Sequence, residues 1–460
     1  MNLKISKSEL KNKIFIKIWN DVNTTKKHII KKMFSIKTNS KFKIFEESVI
    51  QNWKIDTNLF VIIKDYKNFE RNLEEIVIEL SKIIKKLKSK FSMSLKHLKL
   101  PDYLEESFVE LLAQSLYSFN KYVKKEKKYM LNINSNLNSE ILTKKINTLY
   151  WARDLMNMPS NDLNPDSYEE IIKKTFRWLP VKIKVIKWEE LFNIWAWWIY
   201  SVWKWSDHVP RMIILSYKPK KNEKYSAIIW KWVTFDSWGY NIKPTWHIED
   251  MNLDMWWSAV ALWIFKFLVE TNYSWNLVCW IWIVENLVSS KSYTPTDIVK
   301  MYNGKTVKIT NTDAEWRLVL ADTLSYVEKN FDIWQIFDFA TLTWAAIVAL
   351  WHDIIAIMWN NEKLLNKIEK RWSIIKERAY KLPLHNKYKK LLKTSFADIT
   401  NCSKSIQAWT IVAGLFLSEF VKSSKWVHFD IAWPCILENN ELYWSWWSWI
   451  WIRLWIKLFS

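Results

Sequence analysis

Apolar positions along this chain fall into two rhythms. The continuous run Leu59-Phe60-Val61-Ile62-Ile63 predicts a strand, and the spacing over Leu73 to Leu87 predicts a helix. A stretch rich in Asn and Ser, Asn132 to Asn138, follows this first part. Beyond about residue 150, short apolar runs alternate with helical spacings. Strands are expected at Ser226 to Ile229, Leu277 to Val284 and Ile336 to Leu342, and helices at Ser258 to Thr271 and Ala314 to Lys329. Asn303-Gly304 between apolar segments signals a hairpin turn. The alternation argues for an α/β fold with helices on both faces of a mixed sheet. A smaller N-terminal α/β domain is expected over residues 1–145 and a larger domain over 146–460.

With 460 residues, 50% hydrophobic and 25% charged, the chain can bury a sizeable core. Its formal charge is +21, from 68 Lys and Arg against 47 Asp and Glu. Such a balance admits a nucleic-acid partner. The lysines, however, are scattered, with runs such as Lys85-Lys86-Leu87-Lys88 and Lys124-Lys125-Glu126-Lys127-Lys128 in the N-terminal third, and a solvated surface is the favoured reading. Cys279, Cys402 and Cys435 are far apart and in no zinc-type spacing, so a reducing cytoplasm is expected. The opening MNLKISKSELKNKIF has no apolar core of a secretory signal, and no uncharged run of about 18 apolar residues predicts a membrane span.

Tryptophan occurs 35 times and glycine only 3 times. Together they come close to the usual glycine content alone, about 7% of a chain. Trp also stands where a backbone wants glycine, as at Trp197-Trp198, Trp256-Trp257 and the tail YWSWWSWIWIRLW. Most of these are read as UGA codons meaning glycine, written as tryptophan. Trp426 is read as a true tryptophan and Trp433 as a glycine, with Trp19 and Trp53 undecided. The competing reading is a Trp-rich protein stacking on sugars or single-stranded bases. A chain of this length can hardly do without the positive φ that glycine supplies.

The chemistry lies in WKWVTFDSWGYNIKP at 230–244, MNLDMWW at 251–257 and NTDAEWRLVLAD at 311–322. Asp236, Asp254, Asp313 and Glu315 supply four carboxylates at the expected ends of strands and helices, where ligand-bearing loops belong. Carboxylates are hard ligands for divalent metals, and a shared one can bridge a pair about 3.5–4 Å apart. Buried without cations, their charge would be untenable. Asp313 and Glu315 are two apart, so in extended backbone they project to one side.

With glycine restored, NTDAEWRL becomes NTDAEGRL, and seven of its eight residues already stand unaltered. This octapeptide resembles the signature of the leucyl aminopeptidase family of two-metal peptidases. ARDLMNMPSN at 152–161, SDHVPRMIILSY at 206–217, ATLTWAA at 340–346 and FADITNCSKSIQAWTIVAGLFLSEF at 396–420 resemble it too. The resemblance covers roughly residues 150–455.

The resemblance implies an aminopeptidase that removes Leu-like first residues from peptides. Lys231, Asp236, Asp254 and Glu315 would bind one metal, and Asp236, Asp313 and Glu315 the other, with Asp236 and Glu315 bridging. A lysine ligand must be neutral, which burial beside a dication allows. Lys243 would polarise the scissile carbonyl, and Arg317 would hold a bicarbonate acting as general base. Met251, Thr341 and Leu342 would line the pocket for the first side chain, although plain core packing also accounts for Leu342. The implied metals are zinc or manganese, with magnesium a third candidate. The implied assembly is a homohexamer. Some members of the family also bind DNA, which keeps a DNA-binding protein as the alternative. The chain has no HExxH and no G-x-S-x-G, and the near match to a phosphate loop at 198–205 has Trp205 where Ser or Thr is required.

Overall fold

The computed structural model describes residues 3–5, 12–18, 42–51, 54–63, 66–87, 90–123, 130–187, 190, 208–230, 235–236, 256–283, 285–286, 293–314, 316–351, 354–375, 379–403 and 407–431. The chain divides into two units, Met1–Tyr150 with Glu438–Trp447, and Trp151–Leu437 with Ser448–Ser460.

In the first unit six strands form one mixed sheet. They are β1 (Leu3–Ile5), β2 (Asn12–Ile18), β3 (Phe42–Gln51), β4 (Lys54–Ile63), β5 (Lys90–Ser94) and β6 (Met130–Asn134), in the order β1-β6-β5-β2-β4-β3. The helices are α1 (Tyr66–Arg71), α2 (Leu73–Leu87), α3 (Asp102–Leu116) and the part of α4 (Ser139–Met156) up to Tyr150. The helix expected over Leu73 to Leu87 has those bounds, and the expected strand at Leu59 to Ile63 is the second half of β4. Ile76, Val77, Leu80 and Ile84 recur at helical spacing and are buried, so α2 presents one apolar stripe to the core. α4 buries Lys145 between Glu106 and Glu110, while Tyr150 donates to the Ala113 carbonyl at 2.7 Å.

The second unit is built on an eight-stranded mixed sheet. Its strands are β7 (Lys182–Lys187), β8 (Arg211–Tyr217), β9 (Tyr225–Trp230), β11 (Leu277–Ile283), β15 (Ile333–Ala340), β16 (Ile355–Trp359), β17 (Ala379–Lys381) and β19 (Lys425–Asp430), in the order β17-β16-β19-β15-β9-β11-β8-β7. Short pairs complete it: β10 (Phe235–Asp236) with β12 (Glu285–Asn286), and β13 (Ile298–Lys300) with β14 (Thr306–Lys308), which also pairs with β18 (Ile399–Thr400). The helices are α5 (Pro165–Phe176), α6 (Trp256–Glu270), α7 (Trp316–Asn330), α8 (Trp344–Leu350), α9 (Glu362–Ile375) and α10 (Trp409–Ser418).

Two crossovers place helices on opposite faces. α6 links β9 to its parallel neighbour β11, and α7 returns from β11 past β9 to β15. Parallel connections are right-handed, so steps in opposite directions put their helices on opposite sides. The packing agrees. Val278, Trp280 and Trp282 of β11 cluster with Leu318 and Leu324 of α7 and Phe416 of α10. On the other side, Phe176 of α5 meets Phe265 of α6 at 5.8 Å between ring centres, and the Tyr168 hydroxyl lies 3.4 Å from Ser258.

Some bounds differ from those expected. β15 starts at Ile333 and stops at Ala340, before Thr341 and Leu342. There the ladder to β19 ends at the pair Ala340–Asp430, and Asp430 takes the Leu342 amide on its side chain. α7 starts at Trp316, because Thr312–Ala314 is a separate 3-10 turn. The Asn303-Gly304 turn does join antiparallel β13 and β14, with Gly304 at φ +92°.

Candidate active site

β9, β11, β15 and β19 run parallel, so their C-terminal ends share one edge of the sheet. Ligand sites in α/β sheets form at such an edge. Beyond β9 and β11, the short strands β10 and β12 also pair parallel, and β10 ends in Asp236. Thr341 and Leu342 follow β15 directly. Asp313 sits in the 3-10 turn before α7, and Arg317 is the second residue of α7, a helix that packs on β9 and β15. The backbone thus brings Asp236, Thr341 and Leu342 to one edge. Lys231, Lys243, Met251, Asp254 and Glu315 lie outside the described residues, as do the side chains of Asp236 and Asp313. Among the described residues no group of three or more His, Cys, Asp or Glu is placed to hold a metal.

Arg317 is only 3% exposed. One Nη donates to the Asn401 carbonyl at 2.9 Å, and Nε has no hydrogen-bond partner. A guanidinium is always charged and offers five donors in a planar fork. Buried with a donor unfilled, it suits a planar anion. Thr341 shows the same incompleteness on a smaller scale: its hydroxyl is buried without a partner. Leu342, half-buried, packs against the apolar cluster around α7 and α10, as a core residue would.

Behind Thr341, the Asp430 carboxylate accepts from the Leu342 amide at 3.0 Å and from the Thr343 hydroxyl at 2.7 Å. Two residues earlier on β19, His428 pairs with Asp338 of β15 at 2.5 Å. The Trp426 indole donates to the other oxygen of Asp338, as suits a true tryptophan. Burial pulls the His428 imidazole down, but the Asp338 and Asp430 carboxylates outweigh it and leave its pKa raised. No motif marks Asp338, His428, Asp430 or Asn401 as a site residue in the sequence. A signal existed for the first three, since charged or titratable residues interrupt otherwise apolar strands there and must have partners. Asn401 carries no such signal.

Compared with known families, residues 150–445 match the model described as the cytosol aminopeptidase family, catalytic domain. The chain belongs to this family. It is 36% identical over 341 residues to the cytosol aminopeptidase of Pseudomonas aeruginosa, covering 70% of this chain and 68% of that one. It is 33% identical over 420 residues to a probable cytosol aminopeptidase of Sulfurihydrogenibium, covering 84% and 83%. The crystal structure of the cytosol aminopeptidase from Coxiella burnetii covers 99% of this chain and 98% of its own, at TM-score 0.86 and 27% identity. The bottromycin maturation enzyme BotP shares the fold at TM-score 0.83 and 21% identity, covering 98% of each chain. The structural likeness therefore takes in the N-terminal part, where the motifs were silent. Membership makes the chain an aminopeptidase, a hydrolase of peptides. No helix among the described residues is long and apolar enough to cross a membrane.

Proposed function

We propose that the chain is a cytoplasmic, metal-dependent aminopeptidase that removes Leu-like first residues from peptides. The observation that carries the reading is Arg317, buried with an unfilled donor at the start of the helix that follows the expected ligands Asp313 and Glu315. The donor set fits a pair of divalent ions: carboxylates at Asp236, Asp254, Asp313 and Glu315, with Lys231 beside them in sequence. Lys231, Asp236, Asp254 and Glu315 would hold one ion, and Asp236, Asp313 and Glu315 the other. When bound, such a pair lowers the pKa of water enough to supply a nucleophile at neutral pH.

The other roles belong to side chains. Lys243 would polarise the scissile carbonyl and stabilise the charge that develops on its oxygen. Arg317 would hold a bicarbonate, which would supply a general base. Asp254 would take the free amine of the peptide, which would restrict cleavage to the first residue. Met251, Thr341 and Leu342 bound the pocket for that residue, and the unpartnered Thr341 hydroxyl is available to substrate. The enzyme we propose carries glycine at most of the positions written as tryptophan. Trp351 supports this, because it caps α8 at φ 62°, ψ −170°. Only glycine reaches that region without strain of roughly 1–3 kcal/mol.

The test uses the full chain translated from its own gene with UGA read as glycine. Hydrolysis of a leucyl anilide should disappear on chelation and return with zinc or manganese. Activity that survives exhaustive chelation would overturn the proposal. The relatives reported above are named as aminopeptidases, and the DNA-binding alternative has no comparable support.

A further inference from the structure

Asn401 is 0% exposed and stands immediately after β18. β18 runs parallel to β14, with Val307 opposite Ile399 and Lys308 opposite Thr400. The pairing delivers Asn401 to the segment that leads into the Asp313 turn. There its amide nitrogen donates to the Lys308 carbonyl at 3.0 Å. Its side-chain oxygen accepts from the Thr310 amide at 2.8 Å and lies 3.0 Å from the Thr310 hydroxyl. Its side-chain nitrogen donates to the Asn311 carbonyl at 2.8 Å. Its own carbonyl accepts from Arg317 at 2.9 Å.

The side-chain contacts to Thr310 and Asn311 need asparagine in particular, whereas those to Lys308 and Arg317 are made by its backbone. One arm must accept and the other must donate, at a reach of a single methylene. Aspartate lacks the donor, glutamine is too long, and leucine offers neither. Each lost partner leaves a buried polar group unpaired. A buried asparagine usually does no more than hold a loop. This one grips both flanks of the expected ligand segment, Thr310 and Asn311 before Asp313 and Arg317 after Glu315.

We propose that Asn401 is the positioning residue of the metal site, fixing residues 310–317 so that Asp313 and Glu315 meet the cations in one arrangement. The inference rests on the two-metal reading above. Groups that orient metal ligands commonly contribute about 10–100-fold to affinity.

The experiment is a calorimetric titration of the metal-free full chain, UGA read as glycine, with Mn²⁺. Asn401→Ala should weaken binding by about ten-fold or more. The control is Asn276→Ala. Asn276 is another buried amide, bonded to Lys220 at both its amide nitrogen and carbonyl and to the Glu223 carbonyl. It precedes β11, at the opposite edge of the sheet from the site. Its loss should lower the melting temperature and leave Mn²⁺ affinity unchanged. Should Asn401→Ala not fold, Thr310→Val removes the hydroxyl that contacts the Asn401 side chain, the Thr400 hydroxyl and the Cys402 carbonyl, and should still weaken binding measurably. Unchanged affinity in the Asn401 variant, or in Thr310→Val in its place, overturns the inference, and so does an equal loss in Asn276→Ala. Failure of the unmodified chain to bind Mn²⁺ would instead overturn the two-metal reading, and this inference with it.

Discussion

Asp236 and Glu315 are each proposed to touch both cations, while Lys243 and Arg317 touch neither. The difference is measurable as metal stoichiometry beside steady-state kinetics. Asp236→Ala or Glu315→Ala should abolish activity and lower metal content, because two cations are left with less negative charge between them. Lys243→Ala should keep both metals and lower kcat by roughly 10²–10³, the usual worth of an oxyanion stabiliser. Arg317→Ala should also keep its metals, with part of its loss restored by added bicarbonate. Near-normal turnover with two metals in Asp236→Ala would show that the assigned site is wrong. The tryptophans separate at the same scale. Trp426 has Asp338 for its indole N–H, whereas the buried Trp280 N–H has no hydrogen-bond partner and Trp351 is 69% exposed at a glycine conformation. Peptide mapping of the natural protein by mass spectrometry should find tryptophan at 426 and glycine at 351. Tryptophan at 351 would refute the glycine reading for that codon.

Among the elements, α7 carries more than Arg317. Its Asp322 is buried, accepts the Tyr302 amide at 2.8 Å through one oxygen and has no partner for the other. Burial raises its pKa from 3.8 to about 7, against the opposing pull of that amide. Below about pH 4 folded and unfolded chains both hold the proton. Between there and about 7 only the folded chain holds it, so this group costs stability as pH rises through that window, and the cost persists above it. Asp322→Asn cannot titrate, and its oxygen can still accept from Tyr302. The drop in melting temperature between about pH 5 and about pH 8 should therefore shrink in this variant. An unchanged drop would mean that Asp322 is ionised throughout. α2 and the β13–β14 hairpin were legible in the sequence, because helical spacing and an Asn-Gly pair are local signals. The end of β15 was not, since the alternation of apolar residues cannot reveal that Asp430, far along the chain, will take the next amide. The carboxylates and Arg317 are assigned through their motifs alone. Asn401 was not legible, because an uncharged amide in a loop announces nothing until its partners are seen.

For the whole molecule we propose the homohexamer of the resembling family. Light scattering on the glycine-decoded chain should report six copies, and a monomer would refute the assembly. We read the basic balance of +21 as that of a solvated lysine-rich surface. One element bears on how the chain can be handled. α4 runs unbroken over Ser139–Met156, across the division at Tyr150 and Trp151. Its first part seats Lys145 among glutamates, and its last part buries Ala152, Leu155 and Met156. A protease that nicks exposed loops should spare this stretch. A truncation begun at 146, where the motifs alone would put the start of the catalytic part, would strip the first two turns from a helix whose later residues are core. An expression fragment designed to retain the aminopeptidase half should begin at or before Ser139.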